Sequence, residues 1–201
     1  MLRSSPVSPG TSWIFGYGSL IWRPAFPHLA RRPGWIDGWS RRLWQRSTDH
    51  RGTTDAPGRV ATLIRAAGAR CGGAAYQIDG ADLPSVLDAL HVREQQGYDA
   101  IHLEVRLDDG STVSATTWVA TDANPYFAGD ESVAAIADVV RRSHGPSGSN
   151  LEYVLELERA LAALGAPDPH VTAIADILRP RGDESAPGAL HPDAAITIVR
   201  S

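Results

Sequence analysis

The chain has 201 residues, one cysteine, nineteen arginines and no lysine, with a formal net charge of −4. Without lysine there is no Walker A loop, Schiff-base lysine, Ser-x-x-Lys nucleophile or kinase-type ATP lysine. With Cys71 alone there is no intrachain disulfide, as expected for a reducing compartment.

In chain order, residues 1–12 are polar and lack the apolar stretch of a signal peptide, so they are expected to be a loose leader. Trp13 to Tyr17 reads as a short strand entering a tight loop at Gly18-Ser19. Trp35 to Trp44 alternates around Gly38 and reads as a long strand. Val60 to Ile64 and Ala74 to Ile78 read as two further short strands, and Trp44 to Gly52 as a dense polar loop. Asp82 is placed to cap a helix with Leu83, Val86, Leu87 and Leu90 on one stripe, ending near Glu94. Ile101 to Leu107 alternates apolar with polar, and Asp108-Asp109-Gly110 turns it into a strand from Thr112 to Ala120.

Helices are then expected after caps at Asp130 and Asn150, the second ending before Gly165, with a short third over His170 to Leu178. From Arg179 the chain is rich in Pro, Gly and Ala and reads as a tail, with Ile196 to Val199 a possible edge strand. The order of elements predicts an α+β domain over residues 13–178: a small, strongly bent β-barrel flanked by a few helices, followed by a tail over 179–201. No apolar run reaches the roughly 18 residues of a membrane helix, so no membrane partner is expected.

Charge is uneven. Residues 1–65 hold ten arginines against three acids, and the remainder nine against twenty. A basic stretch of this kind either attracts an anion or forms a solvated arginine-rich surface. Trp35, Trp39 and Trp44 lie near arginines, a pattern compatible with a nucleic-acid platform, but their strand setting favours barrel packing. The seven histidines form neither a HExxH nor a Cys/His cluster, so no metal is expected. Cys71 between Arg70 and two glycines reads as a buried small residue, and Ser19 lacks the Gly-x-Ser-x-Gly elbow of a triad hydrolase.

Three stretches carry candidate chemistry. Phe15-Gly16-Tyr17-Gly18-Ser19-Leu20 places two glycines around an aromatic at a strand end, where exposed backbone N–H groups can bind a carboxylate or an oxyanion. The same pattern would also serve as a glycine-kinked barrel corner. Trp44 to Gly52, continuing to Pro57-Gly58-Arg59, could be a substrate rim or a self-bonded loop. His91 to Asp99 joins a helix to a strand and carries Glu94, which could project from the barrel mouth or stay on the surface.

Together these stretches resemble the ChaC-like γ-glutamylcyclotransferases. The resemblance rests on WIFGYGSLIWRP (13–24), GWSRRLWQRSTDHRGT (38–53), PGRVATL (57–63), VREQQGYD (92–99) and GPSGSNLEYVLEL (145–157). It implies a bent β-barrel flanked by helices, a cytoplasmic location, no cofactor, and glutathione as a substrate split into 5-oxoproline and Cys-Gly. It further implies that Phe15, Gly16, Tyr17, Gly18, Ser19 and Leu20 bind the γ-glutamyl group, that Glu94 is the acid/base, and that Tyr153 is a substrate-side residue. Other γ-glutamyl amines or amino acids as substrates, a binding barrel without turnover, and a nucleic-acid-binding barrel are the alternatives. Two features depart from the family pattern: Gln96 stands where the family usually has a glycine, and the segment 124–130 is altered and shortened.

Overall fold

The structure is a computed structural model that describes residues 10–93 and 97–180. Most of the expected leader, nearly all of the expected tail with its possible strand at 196–199, and Glu94 and Gln96 lie outside the described residues.

Five strands close into a barrel in the order β1-β3-β2-β4-β5: β1 (Thr11–Gly16), β2 (Ala30–Ser47), β3 (Gly58–Asp79), β4 (Asp99–Leu107) and β5 (Thr112–Val119). Neighbours run antiparallel except β1 and β5, which close the barrel in parallel through Trp13 beside Ala115 and Ile14 beside Thr116. Ile14, Ile36, Leu43, Ala75, Ile78 and Val105 are all buried, Ala75 and Val105 meeting at Gly34 on one face of the strands and Ile14 and Ile78 lying on the other.

Two sequence expectations change here. The short strands at 60–64 and 74–78 are parts of one 22-residue strand, β3. The polar loop starts later than its composition suggested, because β2 runs on through Ser47. Both strands stay continuous because they pair along most of their length and absorb their irregularities as bulges. One bulge falls between Asp37 and Trp39, where Gly38 has φ +79, and faces Gly68 at φ +76 on β3. A strand bent this way can pass around a small barrel without breaking.

The helices are α1 (Leu83–Arg93), α2 (Val133–Arg142), α3 (Asn150–Ala163) and α4 (Pro169–Leu178). The last three pack on one another, and α3 leans on β3. Their apolar faces form a second layer of core through Ile136, Val140, Val154, Leu157, Leu161, Val171 and Ile174. The caps differ from expectation: Ser132, not Asp130, accepts from Ala135 N, and Ser149, not Asn150, accepts from Glu152 N. Asn150 is fully buried and works as an extra strand partner. Its Oδ1 accepts from Arg59 N at 2.6 Å and its Nδ2 donates to Arg59 O at 2.8 Å, fastening α3 to β3.

Part of the basic first third turns out to be internal. Arg41, Arg51 and Arg59 are all buried. Arg59 forks onto Glu131 at 2.6 and 2.9 Å, and Arg41 is enclosed by carbonyl and carboxylate oxygens. A guanidinium with five donors can close several orphan acceptors at once, which explains its place inside a small barrel. Trp39 is buried under the Arg65 guanidinium at 3.9 Å, and Trp44 packs edge-on against Phe127.

Cys71 is buried, and burial pushes its thiol up, in keeping with a packing role. Burial, aided by Arg42, pushes His170 down from 6.5 to about 4. Its neutral Nε2 accepts from Leu43 N at 3.1 Å. The unfolded chain therefore takes up this proton first as the pH falls. Stability held by the neutral ring is complete above about 6.5 and is lost between 6.5 and 4. Melting temperatures recorded across that window should fall, and His170→Gln, which can still accept from Leu43 N, should flatten the dependence. An unchanged slope in the variant would assign the acid sensitivity to other groups.

Candidate active site

A cavity of about 290 Å³ opens at one end of the barrel. Its wall includes the whole stretch from Phe15 to Leu20, together with Tyr153, for which the resemblance implies a place on the substrate side.

The glycine loop follows β1 and continues into a 3₁₀ turn at Ser19–Ile21. The scaffold occupies its carbonyls one after another. Thr117 Oγ1 donates to Phe15 O (2.8 Å), Arg41 Nε to Tyr17 O (2.7 Å), Ile21 N to Gly18 O (2.9 Å) and Tyr76 Oη to Leu20 O (2.6 Å). Ser19 O takes Trp22 N and Arg23 N, and Ile21 O takes Arg31 Nη2. The N–H groups of Gly18, Ser19 and Leu20 have no acceptor among the described residues. A run of backbone donors whose carbonyls are tied down from behind has the chemistry of an anion-binding nest.

Tyr153 stands beneath the nest. It is buried, and its Oη accepts from Ala61 N at 3.1 Å. A Cβ added to Gly18 would lie 3.4 Å from that oxygen, so the absence of a side chain at Gly18 lets the loop sit directly over the phenol. Gly16 is tighter, since a Cβ there would meet Leu20 Cβ at 2.6 Å. Trp22 packs edge-on against Tyr153 with centroids 5.5 Å apart.

The opposite wall comes from the end of β2 and the segment after it: Arg46, Ser47, Asp49, His50 and Arg51, with Ser147 from the small hairpin of β6 (His144–Gly145) and β7 (Gly148–Ser149). The sequence left this segment open between a substrate rim and a self-bonded loop; it lines the cavity and it bonds to itself. Ser47 Oγ accepts from Arg51 N at 3.0 Å, and His50 O accepts from Ser147 N at 3.0 Å. Arg51 reaches Ser149 O and Glu152 Oε2 at 3.1 and 3.3 Å and lies over the Tyr153 ring.

Glu94 lies outside the described residues, but the residues around it are placed. Arg93 and Tyr98 both line the cavity. Arg93 Nη2 donates to Ser19 Oγ at 2.8 Å and Nη1 to Arg23 O at 3.0 Å, so the end of α1 is tied to the glycine loop. Gly97 (φ +75) is held by Asn124, whose Nδ2 donates to its carbonyl at 2.6 Å. Asn124 also accepts from Tyr126 N (2.8 Å) and Gln45 Nε2 (3.3 Å). The altered segment 124–130 thus lies along the end of β2, with Arg46 N donating to Tyr126 O and Ala128 N to Trp44 O. Arg93, Arg51 and Asn124 were not singled out from the sequence as site residues, because their roles depend on partners 74, 101 and 27 positions away.

Among the described residues there is no group of three His, Cys, Asp or Glu side chains that could hold a metal ion, and no helix long and apolar enough to cross a membrane.

The closed five-strand barrel with its four helices is a γ-glutamylcyclotransferase-like fold, and the chain belongs to the ChaC-like protein family, which it matches over residues 12–181. The human protein named glutathione-specific gamma-glutamylcyclotransferase 1 is 41% identical over 174 residues, covering 84% of this chain and 78% of that protein. The Escherichia coli protein named glutathione-specific gamma-glutamylcyclotransferase is 36% identical over 161 residues, covering 79% of this chain and 69% of its own. A crystal structure of a yeast γ-glutamyl cyclotransferase specific to glutathione aligns with a TM-score of 0.78 at 32% identity, covering 84% of this chain and 96% of the yeast chain.

Proposed function

We propose that the protein is a cytoplasmic γ-glutamylcyclotransferase that splits glutathione into 5-oxoproline and Cys-Gly, with Glu94 as its acid/base. The observation that carries this reading is the shared cavity. The unspent N–H groups of Gly18 to Leu20 and the residues flanking Glu94, Arg93 and Tyr98, belong to one wall system about 290 Å³ in volume. The names borne by the relatives favour glutathione over other γ-glutamyl compounds.

In this reaction the α-amine of the γ-glutamyl group attacks its own γ-carbonyl. A five-membered lactam closes, and the C–N bond to cysteine breaks. The nucleophile is tethered, so holding the substrate curled removes much of the entropic barrier. The nest of Gly18, Ser19 and Leu20 supplies donors for the α-carboxylate or for the oxyanion that develops on the γ-carbonyl. Glu94 takes the proton from the attacking amine and delivers it to the departing Cys-Gly amine, so one carboxylate completes the proton cycle. Tyr153 fixes the floor beneath the γ-glutamyl group.

Incubation of the purified protein with reduced glutathione, followed by mass spectrometry, should show 5-oxoproline and Cys-Gly in equal amounts. Conversion of γ-glutamyl amino acids but not glutathione would move the assignment to a different cyclotransferase. No conversion of any γ-glutamyl compound would end it.

The nest has its own test in Gly18→Val. The methyls must enter the space between the loop and Tyr153, so substrate affinity should collapse while circular dichroism still shows the native fold. Gly16→Ala should behave differently and lower the melting temperature, because its Cβ has no room beside Leu20. Normal affinity in Gly18→Val would remove the nest from the binding site.

A further inference from the structure

We infer that Arg46 binds the C-terminal carboxylate of the substrate and so selects γ-glutamyl peptides with a free carboxylate at their far end. The inference rests on the proposed cyclotransferase reading and assigns the half of the substrate that the nest does not hold.

The argument starts from the charges on the cavity wall. Among the described residues four arginines line it, Arg23, Arg46, Arg51 and Arg93, against one acid, Asp49. Arg51 is paired with Glu152 and lies over Tyr153. Arg93 is engaged with Ser19 and with the carbonyl of Arg23. Asp49 lies 3.6 Å from His50. Arg23 is exposed at the outer rim.

Arg46 is different. It is half-buried, and it has no carboxylate partner among the described residues. It is nonetheless held in place: its backbone N donates to Tyr126 O at 2.8 Å and its Nη1 to Phe127 O at 3.1 Å. One N–H of the guanidinium is spent on orientation, and the others remain for a ligand. A partly desolvated cation without a counter-charge is costly, and an anionic ligand removes that cost.

The position suits the far end of a tripeptide. On the near wall, Gly18 and Tyr153 meet β3 at Ala61. One residue along β3 is Val60, which pairs with Gln45, and Arg46 follows beside Arg59. Val60 and Ala61 both line the cavity, so they form the wall that leads from the nest to Arg46. A γ-glutamyl group seated on the nest leaves the remainder of its peptide to run along this wall. A planar guanidinium matches a carboxylate in two parallel bonds.

The test compares glutathione with its glycinamide analogue, which differs only in lacking the terminal charge. Wild type should prefer the acid in kcat/KM by about 10–100-fold, the worth of hydrogen bonds to a charged group. Arg46→Met should raise KM for glutathione by a similar factor, leave kcat within a few-fold, leave the amide's KM unchanged, and so erase the preference. Arg46→Lys should restore part of it. A merely structural role would disturb acid and amide alike. Survival of the acid preference in Arg46→Met, or equal turnover of acid and amide by wild type, would overturn the assignment of Arg46 and leave the cyclotransferase reading standing. Failure of wild type to turn over any γ-glutamyl compound would instead overturn that reading and this inference with it.

Discussion

Glu94→Gln should fold normally, bind glutathione and turn it over about 10²–10⁴-fold more slowly, toward the upper end of that range. The amide keeps the size and hydrogen-bonding capacity of the acid but cannot accept the amine's proton. Nothing else proposed for the site duplicates that function. The nest and the guanidinium groups that line the cavity offer donors only. An unperturbed glutamate titrates near ~4.3, and partial burial would bring it closer to a useful value. Glu94→Asp tests reach: it keeps the carboxylate one methylene short. The described residues on either side are fastened, Arg93 to Ser19 and Gly97 to Asn124. Glu94→Asp should therefore recover only a minor part of the activity. Steady-state rates at neutral pH, with circular dichroism as the folding control, decide the matter. Near-normal turnover by Glu94→Gln would place the acid/base elsewhere.

The second large effect is on stability, at Asp168. Its Oδ2 receives Arg41 Nη1 at 2.8 Å, and its Oδ1 caps α4 through His170 N and Val171 N. The Arg41 side chain is fully enclosed, with Nε on Tyr17 O and Nη2 on Gly72 O. Asp168→Ala leaves that guanidinium buried without its counter-charge and removes the helix cap at the same time. Breaking a buried pair from one side costs about 3–5 kcal/mol. The lost cap adds about 1 kcal/mol. For a chain of this length the melting temperature should drop by on the order of 10 °C. Asp168→Asn, which can still cap, should cost less. Because Arg41 also holds Tyr17, part of the damage should reach the glycine loop and raise KM. Thermal unfolding at pH 7 checks the first expectation and steady-state kinetics the second. A loss under about 1 kcal/mol would mean that water or a neighbouring group takes over the pairing.

Arginine chemistry explains much of what could not be read from the chain. Along the sequence, ten arginines in the first 65 residues look like a surface or an anion funnel. In the fold, Arg41, Arg51 and Arg59 are buried clamps, and each has an acidic partner more than 70 positions away. No local pattern distinguishes a buried arginine from a solvated one, since burial is decided by whether a distant carboxylate arrives.

The sequence by itself determined what depends on local pattern. The four helices, the hairpin at Gly110 and most of the strands follow from periodicity and turn residues, and the glycine loop from two glycines at the end of an aromatic strand. The motifs in register along the chain were enough to show the resemblance to the ChaC-like family. Only the tertiary structure decided what depends on pairing. It joined two apparent strands into β3, because β2 supplies a partner on both sides of the bulge at Gly68. It made Asn150 a strand partner rather than a cap, because Arg59 presents both its N–H and its carbonyl there. It brought Arg46, Arg93, Tyr153 and the glycine loop to one cavity, because the closed barrel returns the ends of β1, β2 and β3 to the same rim. Backbone propensities act over a few residues, whereas a buried charge or an unspent N–H is defined by whatever the whole chain places beside it.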